Sequence, residues 1–100
     1  MHRCMLALSA AGCTVFRANV GLFYTKDGRP IKSGLPTGFS DLFGFRPDGT
    51  PFFVEVKSEA GRVSAAQEKF LAAMRERGAI AVVSRSADEC LKSVIDYQRA

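Results

Sequence analysis

A tight turn between two strand-like runs constrains this chain more than any other feature. Pro47-Asp48-Gly49 carries the residues of a reversing loop. Asp41-Leu42-Phe43-Gly44-Phe45 precedes it, and Pro51-Phe52-Phe53-Val54-Glu55-Val56-Lys57 follows it. Both runs are rich in apolar residues, with aromatics in each and β-branched residues in the second, so they predict an antiparallel hairpin. Side chains alternate along a strand. Phe52, Val54 and Val56 therefore share one face, directed at a core, while Glu55 and Lys57 share the other. If the loop has three residues, Arg46 pairs with Thr50, and counting outward places Asp41 opposite Glu55. One loop residue more or fewer shifts this pairing by one position.

Directly opposed residues have Cβ atoms roughly 4.5–5.5 Å apart, where like charges repel. Two facing carboxylates therefore call for a compensating positive charge. Lys57 supplies one, and a divalent cation supplies a larger one. Hard cations such as Mg²⁺ take oxygen ligands from carboxylates, water and substrate phosphate. Such a metal lowers the pKa of a bound water and neutralises a phosphate. A neighbouring lysine can orient or help deprotonate that water, or stabilise the charge that develops on phosphorus. The plain alternative is that Asp41 caps a turn and that Glu55 and Lys57 form a solvated pair on an edge strand.

The rest of the chain supplies partners for the hairpin. Cys4, Met5, Leu8 and Ala11 recur at helical spacing before Gly12, a stop signal. Residues 14–20 read as a strand, and Leu22-Phe23-Tyr24 with the stretch around Ile31 reads as a small hairpin about Asp27-Gly28. Residues 33–40 form a loop. A helix is expected over residues 64–77, closed by Gly78, then a buried strand over 79–83 and a last helix from Ser86 to about Arg99. In that helix Cys90, Leu91, Val94 and Ile95 face inward. The order α-β-(hairpin)-β-β-α-β-α predicts a mixed α/β sheet flanked by helices. A chain of 100 residues holds one compact domain, over residues 1–100, and is too short for two.

The net charge of +4 suits a polyanionic partner such as nucleic acid. The three cysteines, Cys4, Cys13 and Cys90, are too few and too irregular for a disulfide framework or a zinc pattern. They read as free thiols in a reducing cytoplasm. No segment approaches the roughly 18 apolar residues of a membrane span, so a cytoplasmic protein is expected.

Several segments together resemble the VRR-NUC family of the PD-(D/E)XK nuclease superfamily. Asp41, a short hairpin and Glu55-Val56-Lys57 are similar to the superfamily motif. Gly34-Leu35-Pro36-Thr37-Gly38-Phe39-Ser40-Asp41-Leu42 resembles the family's Gly-x-x-Asp-Leu segment. Gly61-Arg62-Val63-Ser64, then Gln67 and Phe70-Leu71, resemble its next block, and Phe16-Arg17-Ala18-Asn19-Val20-Gly21 resembles its Arg-x-Asn-x-Gly strand. The resemblance implies a restriction-endonuclease-like fold and metal-dependent phosphodiester hydrolysis with Mg²⁺ or Mn²⁺. It implies that Asp41, Glu55 and the Val56 backbone carbonyl ligate the metal, that Lys57 is the catalytic lysine and that Gln67 sits beside the site. It also implies a homodimer acting on branched DNA, similar to Holliday-junction resolvases. Two other activities stay open: cleavage of nicked, flapped or linear DNA, and a nuclease-fold module that binds DNA without cutting.

Two positions depart from the family pattern. Ser40 stands where a Pro usually precedes the first Asp. The family's first-helix Glu would fall near residue 1, where this sequence has Met1 and His2. Either the natural chain begins further upstream, or His2 substitutes, or this member does without the acid.

Other residues carry two readings each. Ser64-x-x-Gln67 is also a capping box, so Gln67 can serve the helix N-terminus as well as the site. Ser86-x-x-Glu89 is read as a cap alone. Asn19 either satisfies local backbone or contacts DNA or a metal-bound water. Lys26, Arg29 and Lys32, with Phe23 and Tyr24 beside them, make a basic arm for DNA, a dimer contact or an ordinary solvated hairpin. Arg62, near a helix N-terminus, is placed to meet phosphate.

Overall fold

A computed structural model describes residues 1–18, 22–32 and 34–96. Its elements are α1 (His2–Ala10), β1 (Thr14–Arg17), β2 (Leu22–Tyr24), β3 (Pro30–Lys32), β4 (Leu42–Phe45), β5 (Pro51–Val56), α2 (Ala65–Glu76), β6 (Ile80–Ser84) and α3 (Ala87–Ile95). This is the expected mixed α/β order, with β2 and β3 forming a separate two-stranded sheet. The expected ends of the first strand (residues 19 and 20) and of the last helix (97–99) lie outside the described residues.

The main sheet has the strand order β1-β4-β5-β6. β4 and β5 are antiparallel, with Leu42 opposite Val54 and Phe45 opposite Pro51. The turn between them closes with the Arg46 N–H donating to Thr50 O at 2.9 Å and the Gly49 N–H donating to Arg46 O at 2.9 Å. Gly49 has φ +87°, the left-handed conformation that this three-residue loop needs at its last position. The register is therefore the one counted from the turn. β5 and β6 are parallel, with Val56 beside Ser84. β5 thus lies inside the sheet, and the edge-strand alternative for Glu55 and Lys57 does not hold.

Each sheet face is covered by different elements. Leu42, Phe52, Val54 and Ile80 pack against Cys4 and Leu8 of α1 and Cys90 and Val94 of α3, all buried. The three cysteines are free and sit in this core, as a small polarizable side chain can. Phe43 and Phe53 point to the opposite face, where Phe39 and Phe70 join them. Phe39 meets Phe70 at a ring-centroid distance of 4.6 Å, and Phe53 meets Phe70 edge-on at 5.5 Å. This aromatic cluster seats α2 across β5 and β6.

Helix α2 starts with a full capping box. The Ser64 hydroxyl accepts from the Gln67 N–H at 3.1 Å, and Gln67 Oε1 accepts from the Ser64 N–H at 2.9 Å. It ends before Gly78 (φ +91°), where the Ala79 N–H reaches back to Met74 O at 3.1 Å. Among the described residues no helix is long and apolar enough to cross a membrane.

Candidate active site

The hairpin register brings the two predicted carboxylates together. Asp41 lies one residue before β4, and its carbonyl accepts from the Ala18 N–H at 2.8 Å. Its side chain turns inward, and Oδ2 accepts from the Val56 N–H at 2.9 Å. This bond replaces the backbone ladder where β4 begins and fixes Asp41 beside β5. Ser40, at the departure from the family's Pro, is fully buried and donates its hydroxyl to Leu42 O at 2.8 Å.

Glu55 is the one buried acidic side chain among the described residues, with 2% of its surface exposed. Its Oε1 accepts from Gln67 Nε2 at 2.8 Å and lies 3.7 Å from Lys57 Nζ. Gln67 therefore does both things its position allows: its oxygen caps α2, and its nitrogen holds Glu55. The second oxygen, Oε2, is buried without a hydrogen-bond partner. A buried carboxylate oxygen in this state favours protonation or a cation. Burial pushes the Glu55 carboxyl up to about 7, the neighbouring Asp41 carboxylate acts the same way, and Lys57 opposes them.

Lys57 follows β5, and its N–H donates to Ser84 O at 2.9 Å. The N–H of Val56 points the other way, to Asp41. In an extended strand the N–H and C=O of one residue share an edge, so the Val56 carbonyl also faces the Asp41 side. Asp41, Val56 and Lys57 line one wall of a cleft of about 960 Å³. The start of α1, including His2 and Arg3, and the residues from Arg85 to Asp88 at the start of α3 line the rest of it.

The donor set can be compared with a divalent cation. Among the described residues no group of three or more His, Cys, Asp or Glu side chains stands in metal-holding geometry. The site offers two carboxylates and a backbone carbonyl. All are hard oxygen donors, and one carboxylate oxygen is buried and unpartnered. This set fits a Mg²⁺-like ion, which characteristically keeps several waters and takes one or two protein carboxylates plus phosphate.

The other sequence-based candidates are scattered. Lys26 and Arg29 sit on the β2–β3 hairpin, exposed, with Arg29 paired to Asp27 at 3.1 Å. The backbone of Lys32 lies in β3. Arg62 is exposed in the loop before α2. Lys26, Arg29 and Arg62 do not line the cleft. Asn19 lies outside the described residues. Arg85 lines the cleft and was not among the sequence candidates. No local sequence signal marks it: the parallel pairing of β5 with β6 brings Lys57 and Arg85 out at the same end of the two strands.

A mixed sheet flanked by helices, with Asp41 and Lys57 lining a cleft and Glu55 buried beside them, defines a nuclease-fold domain. A family model of the VRR-NUC domain matches residues 27–88. The chain belongs to the VRR-NUC domain family. A solved structure described as a VRR_NUC domain is similar to it at 26% identity and a TM-score of 0.68, covering 97% of this chain and 91% of that one. Among curated proteins none matches the chain significantly.

Proposed function

We propose that this protein is a metal-dependent DNA endonuclease that acts as a homodimer on branched DNA. The observation that carries the reading is the facing pair of Asp41 and Glu55, with a buried orphan oxygen on Glu55 and Lys57 alongside. Family membership supports the nuclease class. Asp41, Glu55 and the Val56 carbonyl would hold Mg²⁺ or Mn²⁺. When bound, such an ion offsets phosphate charge and acidifies a coordinated water.

The protein's own residues do the positioning. The Val56 N–H holds one Asp41 oxygen, leaving the other to face the cleft. Gln67 holds Glu55 Oε1 and leaves Oε2 without a donor. Lys57 Nζ, beside Glu55, orients the attacking water and stabilises charge on the phosphate oxygens as the bond to phosphorus forms. Lys26, Arg29, Lys32, Arg62 and Asn19 are assigned to DNA contacts. Junction cleavage in paired cuts needs two sites related by a two-fold axis, and a homodimer of this small chain supplies them.

A second reading has a specific observation behind it. His2, not an acid, stands at the start of α1 in the cleft. A site short of one carboxylate fits a module that binds DNA without cutting. Purified protein incubated with Mg²⁺ or Mn²⁺ and labelled four-way junction, flapped, nicked and linear DNA separates these readings. Symmetric, metal-dependent cuts on the junction support the proposal. Cuts confined to nicked, flapped or linear DNA overturn the junction assignment, and binding without cleavage at any metal overturns the enzyme.

A further inference from the structure

Beside Lys57, Arg85 is a cation held in the cleft by main-chain oxygens. Val56 and Ser84 are partners in the parallel β5–β6 pair, so the next residues, Lys57 and Arg85, leave the sheet together. Arg85 Nη1 donates to Ser58 O at 2.7 Å and Gly61 O at 2.6 Å, with Glu59 O at 3.3 Å. These carbonyls belong to the loop that runs from Lys57 to the Ser64 cap of α2. One nitrogen of the guanidinium is thus fixed on the segment joining Lys57 to Gln67.

The rest of the guanidinium is unused. Arginine has five N–H donors in a planar fork, of which Nη1 carries two. The three on Nε and Nη2 have no hydrogen-bond partner among the described residues, and no carboxylate forms an ion pair with Arg85 there. The side chain is exposed on the cleft wall near Asp41 and Lys57. A planar edge bearing parallel N–H groups matches two oxygens of one phosphate. Anchoring Nη1 in advance removes much of the rotamer freedom that such a contact would otherwise have to freeze.

We propose that Arg85 binds a DNA phosphodiester next to the one that is cut, using Nε and Nη2 while Nη1 stays fixed to the 58–61 loop. This rests on the DNA reading above. It adds a phosphate contact on the β6 side of the cleft and couples DNA binding to the loop that carries Lys57. The alternative role for Arg85 is a structural staple for that loop alone.

Binding measurements separate the two roles. DNA with a single neutral methylphosphonate is stepped through each position, with Ca²⁺ replacing Mg²⁺ so that bound DNA stays intact. In wild type, one position served by Arg85 should weaken binding about 10-fold, the scale of a charged hydrogen bond. In Arg85→Gln that position should become silent, and the slope of log affinity against log salt should shrink by about 1. Identical methylphosphonate penalties in the variant and wild type, with an unchanged slope, would leave only the staple and overturn the proposal. If circular dichroism shows Arg85→Gln unfolded, Arg85→Lys takes its place. It keeps the charge but not the fork, so a reduced penalty at that position is expected and an undiminished one overturns the assignment. Cleavage by wild type with Mg²⁺ is scored separately. Its absence counts against the nuclease reading and leaves the binding result on Arg85 standing.

Discussion

Glu55 is a carboxyl buried beside a second carboxylate. Its carboxyl titrates at about 7 against 4.5 for the free side chain, because it is buried opposite Asp41. A folded-state pKa raised above the unfolded one gives a contribution that is complete below about 4.5. That contribution is lost as pH rises through about 7. The metal-free protein should therefore lose on the order of 3 kcal/mol between pH 5 and pH 8, measured by urea unfolding in EDTA. Glu55→Gln, neutral throughout, should flatten this dependence; an equally steep slope in the variant would contradict the assignment. Lys57→Ala should still bind DNA while cleavage falls by about 10²–10⁴-fold, the range for a positioned proton-transfer group. A single-turnover assay reads the rate, and cleavage at the wild-type rate would remove Lys57 from the mechanism.

The elements hold these side chains through backbone contacts that allow little substitution. A Cβ on Gly44 of β4 would lie 1.8 Å from Thr14 O in β1. Gly44→Ala should cost about 3 kcal/mol or more and separate the edge strand, seen as a large drop in the unfolding midpoint. Gly38 has φ +89°, and a Cβ there would sit 2.5 Å from Ala66 O in the first turn of α2. Gly38→Ala should push the 34–40 loop off α2 and shift Asp41 relative to Gln67. Activity should then fall more than stability does, checked by comparing kcat with the unfolding midpoint. Much at this scale was readable in advance. Turn chemistry at 47–49 gave the β4–β5 register, and Ser64-x-x-Gln67 gave the α2 cap. What stayed hidden needed contacts distant in sequence. Arg85 meets Lys57 only through a parallel crossover, whose register no turn defines. Phe39 looked like a loop residue until Phe53 and Phe70 closed on it. The burial of Glu55 also depended on α2 lying over β5, which periodicity alone does not place.

At the scale of the molecule, the cleft gathers both ends of the fold. The starts of α1 and α3 line the cleft with the C-terminal end of β5, so His2 and Arg85 join residues from the middle of the chain. The cleft beside the site therefore depends on the packing of α1 and α3 on the sheet. A net charge of +4 with exposed Lys26, Arg29 and Arg62 makes DNA affinity fall steeply with salt on this account. The proposed junction activity further requires two copies. Sedimentation at micromolar concentration should show a dimer, and a strict monomer would contradict paired cuts. The central claim is that Asp41, Glu55 and Lys57 form a cation-dependent phosphodiester-cleaving site. Its most direct test is cleavage of a labelled four-way junction by wild type and Asp41→Asn, with Mn²⁺ and then with EDTA. The account predicts paired cuts by wild type with Mn²⁺, none with EDTA and none by Asp41→Asn under either condition. Cleavage that persists in EDTA or in Asp41→Asn, or no cleavage by wild type with Mn²⁺, would contradict it.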